Sequence, residues 1–282
     1  MRNDYFYFQA VYYIFAEKKI NTMQDLNVAI IQTNLEWENK KANLSLFDGY
    51  INTLKDKNVD VIVLPEMFTT GFSMQPERFA ENASQSDTLK WMQQKAKETN
   101  AAICGSFIAE ENGNYFNRLH WVEPDATFFT YDKRHLFSLA NEHEYYTAGA
   151  EKITVMWRGW KICPLICYDL RFPVWSRNTE NYDLLIYVAN WPERRAHPWK
   201  TLLMARAIEN QSYCIGVNRI GFDGNQIYHS GESTIVDFQG NILYQKKDEY
   251  DIFIASLSLQ NQINFRADFP FLNDKDNFLT NI

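Results

Sequence analysis

Cys167 closes the apolar run Trp160-Lys-Ile-Cys-Pro-Leu-Ile-Cys167 and is followed by Tyr168-Asp-Leu-Arg-Phe-Pro173. The run reads as a buried strand, and Pro173 suits the first turn of a following helix. A thiol at such a turn lies near a helix N-terminus, whose partial positive charge favours the nucleophilic thiolate. The same residue also fits as a small buried hydrophobe, the usual fate of a free cysteine. Cys104, Cys163 and Cys214 lie inside strand-like runs and are expected in the core. Glu66 directly follows Val61-Ile-Val-Leu-Pro65, at the carboxyl end of a strand, where open α/β sheets place their sites. Partial burial there would raise the carboxyl pKa and let Glu66 carry protons near neutral pH. A solvated or helix-capping glutamate fits the local pattern equally well. Lys133, in Tyr131-Asp-Lys-Arg-His-Leu-Phe137, follows a strand candidate at 127–131. A fixed ammonium there would stabilise a thiolate and neutralise an oxyanion, although a lone lysine is more often a solvated surface charge.

The elements that must position these groups follow an α/β rhythm. Strand runs at 28–33, 61–64, 101–107, 127–131, 153–157, 161–166, 183–189, 212–217, 233–237 and 251–256 are joined in part by amphipathic stretches. Phe47, Tyr50, Ile51 and Leu54 recur at helical spacing, as do Leu89, Met92 and Ala96, and Trp199, Leu202, Leu203 and Ala207 behind Pro198. Such alternation implies a layered α/β protein, and the lack of a composition break favours one domain over 23–282. Residues 1–22 are aromatic-rich without a regular pattern and are expected to lie outside the fold, in keeping with a start codon assigned too early. The 282 residues carry 28 Lys and Arg against 35 Asp and Glu, a net charge of −7. That balance disfavours a phosphate-binding surface and hence a nucleic acid partner. Four cysteines in this length do not make a disulfide scaffold. Cys163 and Cys167 lack a second Cys/His pair at zinc-ligand spacing, so no metal is expected. No apolar run approaches eighteen residues, and a membrane span is not expected.

Leu64-Pro-Glu66-Met-Phe68, Tyr131-Asp-Lys133-Arg-His-Leu-Phe137 and Cys167-Tyr-Asp-Leu-Arg-Phe-Pro173 together resemble the three signature blocks of the nitrilase superfamily of carbon–nitrogen hydrolases. The order Glu, Lys, Cys and the separations of 67 and 34 residues fit that family, and the resemblance runs from about Leu26 to the region of Pro270. It implies a four-layer αββα sandwich with a Glu66–Lys133–Cys167 triad, the backbone N–H of Tyr168 at the oxyanion, no cofactor and a homodimer. A second family glutamate corresponds best to Glu142, with Glu144 as the alternative. Asn141-Glu-His-Glu-Tyr-Tyr146 with Ala189-Asn-Trp-Pro-Glu-Arg-Arg195 is most similar to the omega-amidase branch, which hydrolyses the terminal amide of short 2-oxo acids such as 2-oxoglutaramate.

An acid of that kind needs a partner for its carboxylate, and a guanidinium binds both oxygens at once. Arg171 is the first candidate and Arg194 and Arg195 are the reserve, although Arg171 bracing the turn through Asp169 accounts for it equally. Asn190 is expected beside the substrate, with Trp191 and Phe68 as apolar walls. N-carbamoyl amino acid amidase is the neighbouring activity. A papain-like Cys–His pair using one of His120, His135, His143, His197 or His229 would leave the Glu and Lys blocks unexplained. A catalytically silent member serving as a binding or assembly module would retain Glu66, Lys133 and Cys167 without use. The acidic, cysteine-poor chain points to the cytoplasm.

Overall fold

The computed structural model describes residues 24–276 and 278; the expectation for residues 1–22 falls outside them. One sheet holds β1 (Leu26–Gln32), β2 (Val61–Val63), β3 (Glu81–Asn82), β4 (Ala102–Glu111), β5 (Asn114–Val122) and β6 (Phe128–Asp132). The second holds β7 (Val155–Trp157), β8 (Trp160–Ile166), β9 (Leu184–Ala189), β10 (Tyr213–Asn218), β11 (Ile220–Phe222), β12 (Tyr228–Val236) and β13 (Ile242–Lys247). The chain then returns to the first sheet as β14 (Asp251–Leu257), antiparallel to β1, with Leu26 opposite Leu257. Strands β1, β2 and β4 run parallel, as do β8, β9 and β10.

The uninterrupted apolar runs arise because both faces of each sheet are covered. Val28, Ile30, Val61, Val63, Ala102 and Cys104 point into the core between the sheets, against Ile162, Ile166 and Ile186. Their neighbours Ala29, Ile31, Ile62 and Ile103 point outward, onto Phe47 and Ile51 of the helix Lys40–Asn52 and Leu89, Met92 and Ala96 of the helix Asp87–Thr99. The outer face of the second sheet is covered by Trp199, Leu203 and Ala207 of the helix Ala196–Asn210. Gly216 of β10 permits that contact, since a Cβ there would lie 2.6 Å from both Trp199 and Leu203. The layers are therefore helix, sheet, sheet, helix: an αββα sandwich.

Five strand segments were not legible in the sequence: β3, β5, β11, β13 and the first half of β12. In β5 the buried polar residues Asn117, Arg118 and His120 interrupt the apolar pattern. Arg118 is accommodated by Asp132 at 2.7 Å and Glu111 at 2.8 Å. In β12 a bulge between Gly231 and Ser233 sets Glu232 at φ +57°. The parallel strands end on one side of the sandwich, and the segments leaving β2, β6, β8 and β9 carry Glu66, Lys133, Cys167 and Asn190 to that side.

Candidate active site

Cys167 begins a 3-10 turn, Cys167–Arg171, that leads into the short helix Pro173–Ser176. Its φ is +42°, a left-handed conformation that non-glycine residues adopt only when their surroundings hold it. Met67, one residue after Glu66, is at φ +43°, and Asn141, one before Glu142, is at +55°. A sharp reversal therefore presents each of these groups at the end of its element. Lys133 Nζ donates to Glu66 Oε1 at 2.9 Å and to the two oxygens of Glu142 at 3.0 and 2.9 Å. All three side chains are completely buried. Glu142 Oε2 also accepts the Phe137 N–H at 2.5 Å. Glu144 is exposed, so burial separates the two candidates and places Glu142 on the lysine.

Burial disfavours the Lys133 ammonium, but the charges of Glu142 and then Glu66 override it and its pKa is raised. Burial pushes the Glu142 carboxyl up, Lys133 pulls it down, and the Glu66 charge raises it again. The expectation that the turn favours the thiolate of Cys167 is not met. Burial raises its pKa well above the usual thiol value, and Glu66 raises it further by charge and hydrogen bonding. Lys133 and the Asn190 N–H pull the other way without prevailing. The helix dipole that would have favoured the thiolate is missing, because a five-residue 3-10 turn and a one-turn helix sum too few peptide dipoles. The Cys167 thiol thus lies beside Glu66, which is fully rather than partly buried. Cys104, Cys163 and Cys214 are core residues, as expected.

A cavity of about 420 Å³ opens over Cys167 and Lys133. Tyr168, Arg171, Asn190, Trp191, Arg194 and Arg195 line it, together with Trp37, Phe72, Phe137 and Leu139. The Arg171 guanidinium lies 5.0 Å from the Trp191 ring centroid, and that of Arg195 lies 4.9 Å from Phe137. Asp169 does not hold Arg171, because its oxygens are taken by Ile166, Tyr131 and His135. Phe68 is a correction. Its ring turns away from the cavity into the layer between sheet and helix, edge-on to Phe47 at 5.5 Å and Phe107 at 6.4 Å. Gly105 leaves it room there, since a Cβ would come within 3.1 Å of the ring. Phe72, over whose ring Lys133 Nζ sits at 4.9 Å, takes the wall position instead. Among the described residues no group of three His, Cys, Asp or Glu side chains is placed to hold a metal ion.

Asn190 does more than line the cavity. Its N–H donates to Glu66 Oε2 at 2.7 Å and its amide to the Glu66 carbonyl at 2.5 Å, so the second sheet grips the glutamate of the first. Two partners were not foreseen. Asn117 donates to Glu66 Oε1 at 2.8 Å and accepts the Lys133 N–H at its carbonyl at 3.0 Å, while Ser106 Oγ accepts the Met67 N–H at 2.8 Å. The only available signal was a polar residue inside a strand. Gly149 N–H donates to the Lys133 carbonyl at 2.9 Å, and a Cβ on Gly149 would fall 2.1 Å from the Asp132 carbonyl oxygen. Gly149→Ala should therefore cost about 1–3 kcal/mol, as overpacking does, and displace Lys133. Thermal unfolding and turnover of this variant check it; an unchanged melting temperature would mean that the strand end yields freely.

The model of the carbon–nitrogen hydrolase family matches residues 27–267. The chain is 46% identical over 257 residues to the omega-amidase YafV of Escherichia coli K12, spanning 91% of this chain and 99% of that protein. It is 32% identical over 252 residues to the 2-oxoglutaramate amidase of Bacillus subtilis 168, spanning 88% and 96%. Among solved structures, a CN-hydrolase superfamily protein from Xanthomonas campestris with an arsenic adduct in its active site superposes with a TM-score of 0.89 at 39% identity. That match covers 92% of this chain and all of the other.

Proposed function

Since this chain belongs to the carbon–nitrogen hydrolase family, we infer that it is an omega-amidase, hydrolysing the terminal amide of short 2-oxo dicarboxylic acid monoamides such as 2-oxoglutaramate and 2-oxosuccinamate. The products are the 2-oxo dicarboxylic acid and ammonia. Glu66 takes the Cys167 proton and the sulfur attacks the amide carbon. The tetrahedral oxyanion is met by Lys133 and by the backbone N–H of Tyr168, which has no acceptor within the first turn of its 3-10 segment. Glu66 then gives its proton to the departing ammonia, leaving a thioester. Glu66 next removes a proton from water, the hydroxide adds to the thioester carbon, and the acid leaves as Cys167 regains its proton. Glu142 and Asn117 hold Glu66 and Lys133 in line. The raised thiol pKa agrees with this sequence, because proton removal is then a step of the reaction and not its resting state.

The observation that carries the substrate is a charge imbalance across the cavity. Glu38 is held by Ser73 at 2.6 Å and Gln75 at 2.9 Å, and Asp223 by the N–H groups of Asn225 and Ile227. Arg171, Arg194 and Arg195 have no carboxylate within 4.0 Å among the described residues, and burial followed by the neighbouring Arg194 charge lowers the Arg195 pKa. A carboxylate a few carbons from the amide would relieve that repulsion. Ammonia release from a panel of acid amides, matching neutral amides, carbamoyl acids and nitriles should be fastest for the 2-oxo acid amides. Carbon dioxide release from carbamoyl acids as the leading activity would favour the neighbouring reading. Arg171→Lys and Arg195→Lys should each raise KM for the acid amide about tenfold or more, since lysine cannot pair bidentately. The same changes should leave KM for the neutral amide within about twofold. Equal changes for both substrates would sink the assignment of these guanidiniums.

A further inference from the structure

We propose that Asp169 is a positioning residue that locks the Cys167 turn to the Lys133 segment, with the His135 side chain as its clamp; the proposal rests on the reading of Cys167 and Lys133 given above. Asp169 stands two residues after the nucleophile and is completely buried. Its Oδ2 accepts the N–H of Ile166 at 3.1 Å, on the other side of Cys167. The same oxygen accepts the Tyr131 hydroxyl at 2.7 Å, and its Oδ1 accepts the His135 N–H at 3.0 Å and the His135 ring Nδ1 at 2.8 Å. Tyr131 and His135 stand on either side of Lys133. The Tyr131 oxygen is itself fixed by Trp175 Nε1 at 2.9 Å and by the Arg134 N–H at 3.2 Å. One carboxylate therefore ties down the flanks of both the sulfur and the ammonium, groups that lie on different sheets of the sandwich.

An ionised carboxylate offers only acceptors, and all four groups facing Asp169 are donors. Among the described residues no lysine or arginine approaches within 4.0 Å of it, and His135 is its one basic neighbour. The His135 ring is held flat on Phe172, with centroids 3.7 Å apart, so the clamp arrives with little freedom to lose. The left-handed backbone at Cys167 is the conformation that such an external tie would maintain. A small displacement of one reacting group relative to another lowers turnover strongly without affecting how the rest of the substrate is bound.

Asp169→Asn turns an NH2 group onto two of those donors. With 2-oxoglutaramate it should lower kcat about a hundredfold while KM stays within about threefold. His135→Ala removes the ring donor alone and should lower kcat about tenfold. His135→Asn places an amide N–H near the position of Nδ1 and should bring kcat back to within about threefold of wild type, although the stack on Phe172 is lost. A folded Asp169→Asn protein with wild-type kcat, a loss carried by KM, or a His135→Asn protein as slow as His135→Ala would overturn the proposal. If Asp169→Asn does not fold, the His135 pair decides alone. Cys167→Ala tests the underlying reading separately: turnover in that protein would defeat the nucleophile, not the clamp.

Discussion

Cys167→Ala is expected to abolish turnover, a loss of at least about 10⁴-fold as for other nucleophile deletions, while substrate still binds. The side chain is 8% exposed at the cavity floor, and alanine there removes only the sulfur, so the fold has little reason to change. Cys163 provides the control four residues earlier. It lies inside β8, burial pushes its thiol up to about 12, and Cys163→Ala should cost about 1 kcal/mol of packing with activity retained. Iodoacetamide should label one thiol per native chain, at Cys167. Because burial and then Glu66 hold that thiol protonated, the labelling rate should keep rising beyond pH 9; a plateau near neutrality would mean that the thiolate is preformed. Equal inactivation by the two alanine changes, or a Cys167→Ala protein that still turns over, would defeat the assignment.

Strand ends were legible where one local pattern determines one position, whereas the grouping of Glu66, Lys133 and Cys167 came only from the family resemblance. Glu66, Lys133 and Cys167 each follow an apolar strand run, and a strand end can be read from a window of a few residues. The layered class was legible for the same reason, since runs such as Val61–Val63 have to be covered on both faces. Sequence reading failed where the decision lies in three dimensions. Phe68 and Phe72 both follow Glu66 within a few residues, and only the turn at Met67 and the space above Gly105 send one into the core and leave the other at the cavity. Asn117 was invisible because β5 carries polar side chains that are satisfied only by residues distant in sequence. The thiol was misjudged because proximity to a helix start was legible, whereas near-complete burial beside Glu66 was not.

Glu66→Gln and Lys133→Met should both silence the enzyme, the second with the larger cost in stability. In Glu66→Gln the amide cannot take the thiol proton, and loss of a general base is worth about 10²–10⁴-fold; acylation, followed as ammonia released in the first turnover, should fall by that factor. Lys133 and Glu142 would remain paired at 2.9 Å, but the new NH2 faces a donor whichever way it turns, the Asn190 N–H on one side and Asn117 and Lys133 on the other. The change should therefore cost about 1–3 kcal/mol of stability. Lys133→Met removes an oxyanion partner, about 10²–10³-fold in kcat by analogy with single donors. It also leaves Glu66 and Glu142 facing each other in a dry site, and stripping one partner from a buried ion pair costs about 3–5 kcal/mol. The pH dependence then has a definite sign. Burial already raises the Glu142 pKa, with Lys133 as the main opposing influence. Without the lysine, the folded protein would hold a carboxyl proton that the unfolded chain releases near its ordinary pKa. The stability of Lys133→Met should therefore be best at mildly acidic pH and fall as pH rises toward 8, while wild type, whose ammonium stays charged, falls less. Melting curves of the two proteins from pH 5 to 8 check this. A Lys133→Met protein with near wild-type activity would refute the lysine's role in the reaction; one with flat, wild-type stability across that range would refute the account of how the two buried carboxylates are held.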